Sequence, residues 1–229
     1  MNYDIRPCSL SVVREMCERY HAYGGAGNTS VYAFAVYEEG TPVASFVWQP
    51  PPPGAAVSVC PEAPYGVLAL SRMVAVPKGE RRLNHISRPL RRQMKHLIDR
   101  TRWPVLITYS DEGLGHTGHV YKCSGWEKTN RRRCPTWTKD GVRVSSYRNG
   151  STDTRGLLRG EDKYIQRWEH WACERGEADS FMRLGGWERV PTGKTWRSGS
   201  PAFTITRCLP LCGEYGTVQD RGAETSALN

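Results

Sequence analysis

The stretch Y-S-D-E-G-L-G-H-T-G-H-V-Y-K-C-S-G-W, residues 109–126, follows the apolar run Val105-Leu106-Ile107. It gathers two acids, two histidines, two tyrosines and four glycines. The apolar run predicts a buried strand over residues 103–109, and residues 118–124 predict a short helix closed by Gly125. A strand that ends in glycines and titratable groups before turning into a helix is what an α/β sheet presents at a cleft. The glycines let backbone approach a ligand closely.

The segments on either side extend this reading. Residues 65–77, Y-G-V-L-A-L-S-R-M-V-A-V-P, predict a central strand buried on both faces and interrupted by Ser71 and Arg72. A helix starts at Ser87, tolerates Pro89 in its first turn, and turns Leu90, Met94 and Leu97 inward. Residues 31–37 and 42–48 flank E-E-G-T and predict a hairpin. Residues 3–7 predict a first strand and 9–21 a helix, with Val12, Val13, Met16 and Tyr20 on one face. The prolines of residues 49–64 predict a stiff, partly extended loop. Residues 161–175 predict a helix with Tyr164, Trp168, Trp171 and Ala172 on one side, and 187–206 one or two late strands. The polar end, from about residue 213, is expected to be flexible. Alternating strands and helices specify an α/β or α+β mixed central sheet flanked by helices. The expected division is a core over residues 1–130 and a C-terminal extension over 131–229.

Composition narrows the function. The chain has 229 residues, 38% hydrophobic and 24% charged, with no apolar run long enough for a membrane helix and no secretory signal at the N-terminus. The eight cysteines form no disulfide framework and fit a reducing cytoplasm; Cys208 and Cys212 are the one close pair. The net charge is +9, and residues 78–102 alone hold nine Lys and Arg against two acids. That surplus implies a polyanionic partner, either nucleic acid or a phosphate-rich cofactor.

Three segments carry a family resemblance. Y-K-C-S-G-W-E at residues 121–127 is similar to a tyrosine-lysine and glycine-aromatic-glutamate pattern of GNAT-like acyltransferases. L-S-R-M-V-A-V at 70–76, N-H-I-S-R at 84–88 and Y-S-D-E-G-L-G-H-T-G-H-V-Y-K at 109–122 together resemble the Mom family of phage DNA-modification proteins. The resemblance covers roughly residues 4–129. It implies a GNAT-like fold and conversion of adenine in DNA to an N6-carbamoylmethyl adenine that shields phage DNA from restriction. It also implies acetyl-CoA as cofactor, double-stranded DNA as partner and the host cytoplasm as location. Two departures stand out: Ser110 replaces a usual alanine, and V-P-K-G-E-R-R-L-N-H-I-S replaces the usual glycine-rich GNAT phosphate loop.

The candidate residues follow. By the GNAT comparison Tyr121 protonates the departing thiolate. Asp111 accepts a hydrogen bond from the adenine amino group or acts as general base, His116 orients it, and His21 serves beside a glycine loop on the acceptor side. Arg72, Arg82 or its neighbour Arg81, Asn84, Ser87 and Arg88 are candidate cofactor ligands, because a capped helix N-terminus with nearby arginines suits a pyrophosphate. Tyr20, Ser71, Tyr109 and Trp48 are candidate contacts to an extruded base, which aromatic stacking would hold. Arg131 and Arg132, with Arg133, are candidate backbone contacts. A weaker metal reading takes Asp111, His116 and His119 as ligands, with iron the ion of interest. Two other functions fit the composition: a conventional GNAT acetyltransferase on a protein or small amine, and a non-catalytic basic DNA-binding protein.

Overall fold

The computed structural model describes residues 3–22, 24–25, 30–100, 102–144, 147–148, 151–152, 154–195 and 201–207. Strand β1 (Asp4–Pro7) leads through helix α1 (Leu10–Tyr20) to β2 (Tyr32–Glu38) and β3 (Thr41–Gln49). Helix α2 (Pro53–Val59), β4 (Val67–Ala75), α3 (Ser87–Ile98), β5 (Val105–Asp111) and α4 (His119–Cys123) follow. The chain continues through β6 (Glu127–Lys139), β7 (Val142–Val144), β8 (Tyr147–Arg148), β9 (Ser151–Thr152) and β10 (Leu158–Trp171). Helix α5 (Ala178–Leu184), β11 (Trp187–Thr195) and β12 (Pro201–Arg207) complete the described elements.

Among the described residues eight strands make one mixed sheet in the order β1-β2-β3-β4-β5-β10-β6-β7. The β1–β2, β2–β3, β3–β4, β10–β6 and β6–β7 pairs are antiparallel, and β4 and β5 run parallel. The β2–β3 turn has Glu39 and Gly40 at φ 51° and 84°, and the β6–β7 turn has Asp140 and Gly141 at 51° and 77°. Two consecutive positive φ values suit the tight turns whose twist matches antiparallel strands, which is why each ends in glycine. The α/β mixed sheet flanked by helices is the architecture expected above.

The chain divides into two compact units, residues 1–107 with 170–229, and residues 108–169; the division falls inside β5 and β10. In the first unit α1 packs Val13, Met16 and Cys17 against Ala33, Val47 and Val74. Helix α2 and the turn after it bury Ala56, Val59, Cys60 and Ala63 with Val67, Ala69, Val105, Ile107 and Ala178. Helix α3 buries Leu90, Met94 and Leu97, the stripe its periodicity requires. Full burial of each such side chain is worth about 2 kcal/mol.

Two expectations need correction. The proline-rich segment 49–64 contains a helix, α2, with Pro53 at its first position, where a missing N–H costs nothing. The helix expected over 161–175 is a strand, β10, paired along β6 from Leu158 to Glu169. Tyr164, Trp168 and Trp171 sit at helical spacing, but aromatic residues favour strands, and pairing along a whole partner strand decides the outcome. The Cys208–Cys212 pair and the polar end lie outside the described residues.

Candidate active site

In residues 108–169 the stretch Tyr109–Trp126 contributes to two groups of contacts, one around Asp111 and one around Tyr121. Asp111 ends β5 and is 8% exposed. Its Oδ1 accepts the Gly113 N–H at 3.0 Å, and its Oδ2 is ion-paired with the Lys163 ammonium from β10. Lys163 is itself largely buried, with its side chain 16% exposed. A Cβ on Gly113 would stand 3.0 Å from the Lys163 Cβ, so glycine lets the backbone donor and the lysine stem share one carboxylate. With both charges withdrawn from water, each depends on the other.

Tyr121, on α4, lies against Trp126 and Trp168 with ring centroids 5.9 and 5.8 Å away. Burial pushes its phenol above the ordinary range, and a hydrogen bond with the Thr108 hydroxyl partly opposes this. The folded pKa exceeds the unfolded one, so this group's contribution to stability is intact below about pH 10 and is lost as pH rises through the folded value. Absorbance titration should show Tyr121 among the late-ionising phenols together with Tyr65, which is pushed up to about 12 by burial. Tyr121→Phe should remove one late phenol; removal of one that titrates at or below the ordinary tyrosine value would contradict the burial argument.

Trp168 forms the floor of this cluster. It is 2% exposed and donates its indole N–H to Ser110 Oγ at 2.9 Å. Gly118, at φ 69°, caps α4, and a Cβ there would overlap the Trp168 ring.

The remaining candidates in this unit are placed less centrally. The His116 ring is exposed; its backbone N–H donates to the Asp111 carbonyl at 3.3 Å, a main-chain contact rather than an orienting one. His119 Nε2 lies 3.3 Å from Cys123 Sγ on the exposed side of α4. No three His, Cys, Asp or Glu side chains converge among the described residues, so the proposed Asp111, His116 and His119 ligand set is not assembled. Tyr109 is 42% exposed. Arg131 is bonded to Glu112 at 2.8 Å and lies 3.5 Å over the Tyr164 ring; its guanidinium holds Glu112 below the usual carboxylate range. Arg133 is paired with Asp162, whose carboxyl is held low first by Arg159 and also by Arg133. Arg132 is exposed and stands opposite Ile165 in the β6–β10 register. These arginines carry their own countercharges in two cases of three, which weakens them as backbone contacts.

In residues 1–107 the interruption in the central strand has a structural cause. Along β3 and β4, Trp48 pairs with Leu70 and Val47 with Arg72, which leaves Ser71 as an extra residue in a bulge. Ser71 Oγ donates to the Val47 carbonyl at 3.2 Å. Arg72 Nη1 donates to the Ser71 carbonyl at 2.8 Å and Nε to the Gly25 carbonyl at 3.3 Å, anchoring the glycine loop after α1. His21 caps α1 with its N–H on the Cys17 carbonyl, and Tyr20 beside it is 39% exposed. Trp48 is corrected: it is fully buried and donates to Gln93 Oε1 at 3.1 Å, so no ring face is left for a base.

The parallel register of β4 with β5 covers Val67 to Ala69, after which β4 continues six residues against β3 to the loop before α3. There Arg81 Nε donates to the Val76 carbonyl at 2.8 Å, while its Nη1 is buried and has no hydrogen-bond partner among the described residues. Burial holds the Arg81 pKa down. Arg82 is not available in the same way: its side chain is bonded to Glu39 and its backbone N–H to Glu38. Asn84 and Arg88 are exposed, and Ser87 is half-buried at the first position of α3; Ile86 takes the cap position and provides no side-chain cap.

The family model of the Mom protein family matches residues 2–169. The chain belongs to the Mom protein family. Asp111 and Tyr121 lie within the matched Mom segment. Ser110, where the family usually has alanine, accepts the Trp168 indole N–H. No curated protein matches the chain. Among solved structures, a phosphinothricin N-acetyltransferase homologue aligns over 76% of this chain and 100% of its own, at 10% identity and a TM-score of 0.50. The ribosomal-protein-S18-alanine N-acetyltransferase of Escherichia coli aligns over 77% and 97% at 16% identity and a TM-score of 0.45. An acetyltransferase of Salmonella typhimurium with acetyl-CoA aligns over 76% and 96% at 10% identity, with a TM-score of 0.47. The fold is GNAT-like.

Lys163 is the residue that sequence reasoning missed. It was hidden because residues 161–175 read as a helix, on which Lys163 falls among exposed positions. Read as a strand, the segment places Lys163 across from Cys134 and on the same side as Ile165.

Proposed function

We propose that this Mom family member is a GNAT-like transferase acting on the exocyclic amino group of adenine in double-stranded DNA. The product implied by the family is N6-carbamoylmethyl adenine, made in the cytoplasm of a phage host and protective against restriction. The observation that carries the reading is the presence, inside the segment matched to the family, of a largely buried Asp111–Lys163 ion pair and of a buried Tyr121 packed on Trp168.

Acetyl-CoA suits the residues before α3. Among the described residues the buried Arg81 Nη1 meets no acceptor, and a phosphate oxygen would satisfy such a guanidinium N–H. Asn84, Ser87 and Arg88 at the start of the twelve-residue α3 would join it in holding a pyrophosphate. When bound, the cofactor would supply a two-carbon group activated as a thioester; acyl transfer alone leaves N6-acetyl adenine and a free thiol, so the carbamoylmethyl product requires in addition a nitrogen donor of the amine class and a two-electron oxidant to join the methyl carbon to N6.

The chain's own residues do the rest. Lys163 and the Gly113 N–H hold the Asp111 carboxylate still, and a carboxylate, with acceptor sites on both oxygens, is the group that would accept the adenine amino hydrogens. Tyr121 is neutral at physiological pH because burial disfavours the phenolate, so its hydroxyl proton is available to a departing thiolate. The adenine amino lone pair is delocalised into the ring, and a base inside a duplex must be extruded at a cost of a few kcal/mol. In residues 108–169 the aromatic candidate for that base is Tyr109, about two-fifths exposed.

Tyr121→Phe should lower the modification rate roughly 10²- to 10³-fold while leaving the unfolding midpoint nearly unchanged. Adenine modification in DNA from cells expressing the variant at wild-type levels would show that Tyr121 is not the acid.

A further inference from the structure

Arg131 and Arg133 of β6 carry countercharges, and α3 holds a longer run of exposed cations. On α3 the buried stripe is Leu90, Gln93, Met94 and Leu97. At 100° per residue the opposite face is Arg88, Arg91, Arg92, Lys95 and Asp99. All five are exposed, and Arg100 follows directly, also exposed. The ridge thus carries five cations and one acid of its own, Asp99, which is bonded to Lys95 at 2.8 Å with both side chains more than half exposed. Arg100 lies 5.8 Å over the Tyr32 ring, which fixes the cationic end of the ridge.

Twelve residues at 1.5 Å each make a ridge of about 18 Å. That length spans roughly five phosphate steps of one strand of a duplex at 3.4 Å each. Like charges at i, i+3 and i+4 on one helix face repel one another, and a surface that keeps them gains most when an anion lattice neutralises several together.

We infer that the outer face of α3 is the duplex-DNA docking surface of this protein, with Arg91, Arg92, Lys95 and Arg100 on the phosphate backbone. The inference rests on the proposed action on DNA and replaces Arg131 and Arg132 as the principal backbone contacts. The contacts are to phosphates and carry no base specificity.

The test is fluorescence anisotropy of a labelled duplex oligonucleotide with the full chain over a salt series. It compares wild type, Arg91→Gln/Arg92→Gln/Lys95→Gln, and Arg131→Gln/Arg132→Gln/Arg133→Gln. The α3 triple variant should weaken binding at least about tenfold and flatten the slope of log K against log salt by roughly 2 to 3, given about 0.9 per phosphate contact. Its unfolding midpoint should match wild type, because all three side chains are exposed. Wild-type affinity in the α3 variant, the whole loss in the β6 variant, or no duplex binding by wild type would each overturn the surface. Nucleoside analysis of cellular DNA reads the reaction separately. Modified adenine without α3-dependent binding removes the surface alone, and α3-dependent binding without modified adenine removes the reaction alone.

Discussion

Lys163→Met is expected to lower the unfolding free energy by about 3 kcal/mol, read as a shift in denaturant midpoint at constant slope. The variant keeps most of the lysine's volume and removes its charge. Asp111, 8% exposed, is then left as a carboxylate with no ammonium beside its Oδ2. The Gly113 N–H still reaches Oδ1, so part of the charge stays solvated by the backbone. Asp111→Asn should also destabilise, because it strands the lysine charge. The double variant should be less damaged than the two single losses summed, since replacing both partners of a buried pair is often near neutral. Additive losses would mean that the pair is only a contact of convenience and that Asp111 is held by something else. Lys163→Arg is expected to keep more stability than Lys163→Met, since charge is retained although the planar head fits less well.

Gly118→Ala should cost about 3 kcal/mol or more, which for a methyl group added at the end of a five-residue helix is a large effect. Two penalties combine. The backbone stands at φ 69°, a left-handed conformation that costs a residue with a Cβ roughly 1 kcal/mol or more. The new methyl also overlaps the Trp168 ring, which is 2% exposed and tied to Ser110, so it has little room to retreat. Overpacking of that kind typically adds about 1–3 kcal/mol. Because Trp168 also packs on Tyr121, the variant should move the late phenol titration toward the ordinary value. A Gly118→Ala protein as stable as wild type, with its titration unchanged, would show that the floor of the cluster is loose.

Much of the fold was readable because apolar periodicity and turn chemistry agreed. Leu90, Met94 and Leu97 announced α3, and E-E-G-T announced the β2–β3 turn, where Glu39 and Gly40 both take positive φ. The α2 helix was masked by prolines that also suit a first helical turn. The β10 strand was masked because Tyr164, Trp168 and Trp171 fit a helix, and only β6, a partner remote in sequence, determines otherwise.

The site divides along the same line. Asp111 and Tyr121 were visible because their segment resembles a family and ends a strand in glycines. Lys163 was not, because its partner lies fifty-two positions away and no local pattern links them. Trp48 misled because an aromatic beside a proline loop looks exposed, whereas Gln93 and the α3 stripe enclose it. Ser71 and Arg72 were visible as an interruption, but their cause, a bulge against Val47 and Trp48, is a property of two strands in register.

The most direct measurement is nucleoside mass spectrometry of DNA from cells expressing the full chain, with Tyr121→Phe as control. The account predicts a deoxyadenosine derivative heavier by one carbamoylmethyl group, with the addition on N6, and nearly absent from the control. Unmodified deoxyadenosine in the wild-type sample, with acetyl groups found instead on a protein or small amine, would contradict it.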